Sequence, residues 1–371
     1  MHKYDYIFLK RNLPGNIVGL TGIIADLRAK EDFRKIQYSD AFESLRQKAI
    51  IESVKGSNAI EGIVTTDSRI KDIVDGSKPI THDEMEISGY KDALNLIHTN
   101  YSNMDIDEDM IFAFHRMLLD QTNPREAGAY KKNNNFILET HPDGSRHVRF
   151  KPVPAKRVSS DMEQLLLAYY EARQDAEISP LLLIPCVVLD FLCIHPFIDG
   201  NGRVSRLLTV LLLYLSGYDI VRYISYEGQV NKYKESYYEA LKESSDAWHD
   251  NKNDYVPFIV NFLQILYRCF KDLDESFTDI SLKKAKKSER VEAILMGAIV
   301  PVSKQDIIAK VPDISMKTVE LVLSKLMKEK KIKKIGTFKD ARYMRNNSNW
   351  RCVDEKQKAI MSSVPVKYGD W

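Results

Sequence analysis

The sequence predicts a mainly α chain: a helical core interrupted by one small β-hairpin, followed by a small α+β domain. Three observations carry that reading. Apolar residues recur at three-to-four spacing through most of residues 1–270. Two apolar runs of helical length, residues 181–194 and 207–215, flank a short polar stretch rich in Gly and Arg. Finally, residues 281–351 hold 18 Lys and Arg against 7 Asp and Glu, a net +11 in a chain of +2, so the rest carries −9.

The elements follow in order. Residues 41–54, 85–98, 110–119 and 162–172 each align apolar side chains on one face and read as helices. Phe136-Ile137-Leu138 and Val148-Arg149-Phe150 read as hairpin strands around an Asp143-Gly144 turn. Pro152 and Pro154 forbid a helix directly after it. Residues 253–273 close the helical core, with Trp248 and Phe258 as packing anchors, and the lysine run at 283–287 reads as a basic linker. Beyond it, residues 289–299, 304–310 and 315–329 read as three short helices. The third has an apolar face of Val319, Val322, Leu323, Leu326 and Met327. Residues 332–335 and 341–344 then flank Gly336 as strand, wing and strand, so the module resembles a winged helix-turn-helix. The domains expected are 1–100 (N-terminal helical region), 101–275 (core), 276–287 (linker), 288–350 (small domain) and 351–371 (tail).

The 371 residues, 44% hydrophobic, are enough for two or three domains. No charged segment followed by an apolar one opens the chain, and Pro185, Asp190, Thr209 and Tyr214 interrupt the longest apolar runs. A cytoplasmic protein without a membrane span is expected. Cys186, Cys193, Cys269 and Cys352 lack Cys-x-x-Cys spacing and read as free thiols, not a zinc site.

Residues 195–206, HPFIDGNGRVSR, concentrate the chemistry. The stretch is a turn between two buried helices, with Gly200, Asn201 and Gly202 at the N-terminus of the second. Unpaired N–H groups and the helix dipole favour an anion there, and glycine lets phosphate approach the backbone. Arg203 and Arg206, three apart, share a helix face and suit a polyphosphate. His115, within an apolar helix, reads as a buried, hydrogen-bonded histidine.

The stretch resembles the signature of the Fic (filamentation induced by cAMP) family, His-Pro-Phe-x-Asp/Glu-Gly-Asn-Gly-Arg-x-x-Arg, at every specified position. The resemblance extends over residues 1–270. It implies a helical Fic core that transfers AMP from ATP, with Mg²⁺, to a Ser, Thr or Tyr hydroxyl of a target protein, and autoadenylylation besides. His195 matches the general base, for which an ordinary imidazole near 6.5 is suited. Asp199 matches the Mg²⁺ ligand. The backbone of Gly200 to Gly202 would stabilise the α-phosphate with a donor from the Asn201 side chain. Arg203 would hold the β-phosphate and Arg206 the γ-phosphate, while Phe197 anchors the loop. Relatives that transfer a terminal phosphate have Lys where this chain has Gly202, so the resemblance points to AMP transfer. Tyr237 matches an aromatic lining the adenine pocket, and Ser245 replaces an Asn that contacts adenine in some relatives.

Upstream, residues 57–62 (Ser57, Glu61 and Gly62 at the specified places) resemble the inhibitory pattern Ser/Thr-x-x-x-Glu-Gly/Asn of the self-inhibited class called class II. There the glutamate pairs with the second signature arginine, which implies that Glu61 occupies Arg206. On the residues alone, Ser57 also reads as a helix cap with Glu61 solvated. Gly128-Ala129-Tyr130-Lys131, followed by Asn135, Phe136, Ile137 and Leu138, resembles the family's hairpin flap, which pairs with an extended segment of the target. Lys131 stands where many relatives have Arg, and Asn135 where many have Val.

Two function classes follow. One is an AMP-transferring enzyme held off by Glu61, with the basic module recruiting a partner. The other is a DNA-binding regulator whose Fic core senses nucleotide, with Met316, Lys317 and Thr318 near base edges and Lys325, Lys328 or Lys339 near phosphates. The complete signature favours the first, because ATP binding alone has no use for His195. Removal of AMP, with Glu61 orienting a water, and a homodimer that controls inhibition are further expectations.

Overall fold

The computed structural model describes residues 2–11, 13–37, 39–140, 145–284, 287–298, 301–337 and 341–346. They divide into two units, Met1–Asp272 and Leu273–Trp371. In the first, α1 (Gly15–Gln37), α2 (Ser39–Ile60) and α3 (Asp67–Val74) precede α4 (His82–Asn100) and α5 (Glu108–Leu119). Strands β1 (Ile137–Thr140) and β2 (Arg146–Phe150) follow. Then come α6 (Val158–Arg173), α7 (Pro180–Ile194), α8 (Asn201–Leu215), α9 (Tyr226–Lys232), α10 (Lys234–Ser245) and α11 (Val256–Lys284). Polar caps fix several starts: Asp107 accepts from Met110 N–H at 2.7 Å and Ser225 from Gly228 N–H at 2.7 Å.

Every residue of α7 from Leu181 to Ile194 is buried. A helix apolar on all sides must be surrounded, and α6, α8 and α10 pack on it while α4 and α5 cover α8. The buried Asp190 of α7 accepts from Tyr6 Oη, Trp248 Nε1 and Tyr255 Oη, each at 2.8 Å, which ties both ends of the first unit to its centre. Trp248 and Phe258 are the buried anchors expected.

Residues 1–100 are not a separate domain. α2 packs against α9 and α4, and a Cβ on Gly56 would stand 2.9 Å from the backbone of Glu227 and Gly228. Two helices this close need a residue without a side chain at the crossing. Of the segment 276–287 expected as a linker, residues 276–284 belong to α11, Lys287 opens the next helix, and 285–286 lie outside the described residues. Leu273 and Phe277 are buried and continue the apolar face of α11, which outweighs the lysine run as a signal.

The hairpin pairs antiparallel, Leu138 with Val148, Glu139 with His147 and Thr140 with Arg146. Ile137 pairs with Phe150, so the register slips between Ile137 and Leu138 and leaves Arg149 extra on its strand, a β-bulge. The Asp143-Gly144 turn lies outside the described residues.

In the second unit, α12 (Lys287–Gly297), β3 (Val302–Ser303), α13 (Lys304–Lys310), α14 (Met316–Lys328), β4 (Ile332–Ile335) and β5 (Arg342–Arg345) enclose a core that includes Val291, Leu295, Ile307, Leu323 and Tyr343. The sheet order is β3-β5-β4, all antiparallel. Strand β3, too short to show periodicity, was not expected. Ser303 and Asp306 form a capping box on α13, and Gly336 turns the chain after β4 with φ 77°. Lys339, Cys352 and the tail lie outside the described residues. No helix among the described residues is long and apolar enough to cross a membrane.

Candidate active site

α7 ends at His195, whose φ of 52° is left-handed, and α8 starts after Gly200 at φ 79°. A left-handed non-glycine residue costs about 1 kcal/mol, so neighbours must hold it. Lys131 does so from both sides: its N–H donates to Pro196 O at 2.9 Å and its Nζ to Ile194 O at 3.3 Å. The same Nζ donates to Asn135 Oδ1 at 2.7 Å, and Asn135 Nδ2 donates to Phe197 O at 3.1 Å. Asn135 is therefore a brace of the loop and lies before the flap strand. The Asn201 side chain is likewise engaged inside the loop, accepting from Phe197 N–H and donating to Phe197 O, both at 2.9 Å. That leaves one Nδ2 hydrogen for the phosphate contact expected of it.

Phe197 is buried and stacks on His115 with centroids 3.7 Å apart. His115 donates from Nε2 to Asp199 O at 3.1 Å and accepts at Nδ1 from Gly128 N–H at 3.0 Å, a pattern only the neutral imidazole can make. Burial pushes its pKa down to about 4. It supports the loop, as the sequence suggested.

His195 lines a cavity of about 290 Å³ together with Glu61, Gly202, Arg206 and Tyr237. Its pKa is not the ordinary one: burial, and then the Lys131 charge, push it down to about 4, against smaller opposing effects of Glu61 and Asp199. Near neutral pH it is an unprotonated acceptor. Asp199 is 66% exposed at the side chain, and its Oδ1 accepts from Gly200 N–H at 2.6 Å. Arg203 does not line the cavity. Its side chain is 1% exposed, pairs with the buried Glu86 of α4 and reaches Asp199 Oδ2 at 3.4 Å, so its charge is already committed.

Arg206 is engaged from α2. Its Nε donates to Ser57 Oγ at 2.8 Å, and its Nη2 donates to Ser57 O at 3.0 Å and to Glu61 Oε1 at 2.7 Å. Burial pushes the Glu61 carboxyl up, but the Arg206 charge and hydrogen bond outweigh it and hold it below the usual carboxylate range. Gly62, at φ 81°, ends α2: its N–H reaches Ala59 O and the Ile63 N–H reaches Asn58 O, the pattern of a glycine C-cap. Lys234 Nζ donates to Ile60 O at 2.6 Å and satisfies another terminal carbonyl. Ser57 is thus no helix cap, and Glu61 is not simply solvated. Gly202 makes room for it, because a Cβ there would collide with Glu61 Oε1.

Residues 105–213 match the sequence profile of the Fic/DOC family. They form a Fic domain. A protein adenylyltransferase Fic of Nematostella vectensis is 28% identical over 226 residues, covering 57% of this chain and 46% of that one. Protein adenylyltransferase fic-1 of Caenorhabditis elegans is 26% identical over 204 residues, 53% and 37% of the two chains. The chain thus spans less than half the length of these curated relatives. Among solved structures, a Fic family protein from Desulfovibrio desulfuricans G20 superposes with a TM-score of 0.59 at 20% identity, covering 92% of this chain and 99% of that one. Fic-1 (aa134–508) from C. elegans gives 0.56 at 20% identity over 72% and 74%. Both share the fold.

The Fic domain contains the loop and the hairpin, while Glu61 and Tyr237 reach the same cavity from outside the matched residues and Ser57 holds Arg206 from behind it. Tyr237 is buried against it, and Ser245 also lines it. Of the expected flap residues, Phe136 and Ile137 line the cavity, whereas Leu138 is exposed. Sequence reasoning missed Lys131 as a loop clamp and Arg149 as a cavity residue. An extra residue in one strand has no signal before the register is known.

Proposed function

We propose that the chain is a protein adenylyltransferase, which transfers AMP from ATP to a hydroxyl of a target protein and is held off at rest by Glu61. One observation carries this reading: a single cavity is lined by an unprotonated His195, by Gly202 in the first turn of α8, and by an Arg206 already bound to Glu61. The curated names of its relatives support the same activity.

In this reading the hydroxyl oxygen attacks the α-phosphorus, and His195 takes its proton. The bond from the α-phosphorus to the bridging oxygen of the β-phosphate breaks, and pyrophosphate leaves. The first-turn N–H groups of α8 have no intrahelical acceptor and would meet the charge developing on the α-phosphate. Asp199 would hold Mg²⁺. Among the described residues no group of three or more His, Cys, Asp or Glu forms a metal cluster, and a lone exposed carboxylate fits an ion that draws most ligands from phosphate and water. When bound, the ion would neutralise phosphate charge, and Arg203 would orient Asp199 through the contact between them. The exposed Phe136, Leu138 and Val148 of the hairpin suit an extended segment of the target. Glu61, placed N-terminal to the Fic domain as in class II, would deny Arg206 to the γ-phosphate.

The test compares the full chain, its Glu61→Gly variant and the Glu61→Gly/His195→Ala double variant, each incubated with ATP and a cell lysate. Mass spectrometry is expected to find AMP on hydroxyl residues with the first variant and none with the double variant. ATP binding by Glu61→Gly without any transfer would sink the proposal and favour nucleotide sensing.

We read the second unit as a winged helix-turn-helix, a reading supported by its element order and by the outward face of α14, where Lys317, Leu321 and Lys328 are exposed. Retention of the full chain on duplex DNA at about 50 mM salt, lost as salt rises, would assign it to DNA. Indifference to DNA would assign it to protein docking.

A further inference from the structure

Arg149 has no role in the mechanism above, yet its surroundings are unusual for a cation. It is the residue left over by the bulge in β2, and bulges beside active sites re-aim side chains. It lines the cavity that holds His195 and Arg206. Its Nε is buried with no hydrogen-bond partner, and no carboxylate pairs with it among the described residues. Glu139 on the facing strand is taken by Lys242 and His147.

The charge balance of the cavity sharpens the point. Glu61 offsets Arg206 at 2.7 Å, and His195 is neutral near pH 7, so Arg149, which Glu139 attracts only from beyond ion-pair distance, is a cation on the cavity wall with no paired anion among the described residues. Burial accordingly pushes its pKa down. A partly desolvated cation without an anion is costly unless a ligand supplies one.

We propose that Arg149 is a phosphate-binding residue for the nucleotide, delivered to the cavity by the flap bulge. It donates to a non-bridging oxygen of the phosphate chain from the flap side, opposite the first turn of α8. The hairpin then has a second task besides meeting the target: it supplies one wall of the anion site. The assignment rests on the adenylyltransferase reading above.

The experiment measures binding of ATP and of adenosine, by calorimetry, to the full-length Glu61→Gly protein and to the same protein with Arg149→Met or Arg149→Lys. Arg149→Met is expected to weaken ATP roughly tenfold to hundredfold, the range for loss of one charge-assisted hydrogen bond. Adenosine binding should not change, which also shows that the variant is folded. Arg149→Lys should recover part of the ATP affinity, because the charge returns without the planar fork. Equal losses for ATP and adenosine, or no loss for either, would overturn the assignment. A Glu61→Gly parent that binds adenosine but gains nothing from the phosphates would overturn it as well. A parent that binds neither would refute the adenylyltransferase reading itself, and this assignment with it.

Discussion

Replacing Glu61 by glycine should free Arg206 without displacing it. Of the three hydrogen bonds that Arg206 donates to this region, two go to Ser57 and survive the substitution. The third is a charge-assisted bond, worth roughly 1.5–3 kcal/mol when fully shielded. The Glu61 side chain is 33% exposed, so solvent screening reduces that to about 1–2 kcal/mol. An equilibrium shift of this size corresponds to about five- to thirtyfold. ATP affinity by calorimetry and the rate of AMP transfer should both rise by about this factor, while adenosine, which has no group for Arg206, should gain nothing. Glu61→Gln, which keeps an acceptor and loses the charge, should fall between parent and glycine variant. The folded pKa of Glu61 lies below its ordinary value, so the lock is complete above that value and is lost only as pH falls through the folded one. Unchanged ATP affinity and rate in Glu61→Gly would refute the lock. So would an equal gain for adenosine, which would mean that the carboxylate merely narrows the cavity.

Two further outcomes follow. Gly56→Ala puts a Cβ 2.9 Å from backbone atoms of Glu227 and Gly228 that cannot swing aside. It should cost about 1–3 kcal/mol in denaturant unfolding and raise transfer activity, because α2 carries Ser57 and Glu61; a destabilised variant with parental activity would argue against a lock held by helix packing. Lys131→Met removes a positive charge that helps hold His195 at about 4, so the acid limb of the rate profile should move to higher pH. The Lys131 ammonium is itself pushed down to about 8 by burial, so the parent profile should bend near that pH and the Lys131→Arg profile should not.

Much of this was legible in the sequence because local pattern decided it. Periodicity located α4, α5 and α6 to within a few residues, and the signature singled out His195, Gly202 and Arg206, which line one cavity. What failed was information that only tertiary contacts carry. The residue types Asn201 and Arg203 suggest phosphate donors, but which group an amide or guanidinium meets depends on Phe197 and on Glu86, a residue 117 positions away. Lys131 shows the same limit, since its grip on Ile194 spans 63 positions. The lysine run read as a linker begins on α11, which holds Lys283 and Lys284 and whose buried Leu273 and Phe277 continue its apolar face. Gly56 looked like any helical glycine until α9 was seen against it.

The bare backbone at Gly202 links two properties that would otherwise vary separately. A Cβ at that position would stand too close to Glu61 Oε1, so the contact between Glu61 and Arg206 uses the space that glycine leaves. On the proposed function, lysine at this position, as in the relatives that move a terminal phosphate, would crowd the Glu61 brake in the same step as it changed the chemistry. A lineage taking that step would need either a shifted Glu61 or another means of staying silent.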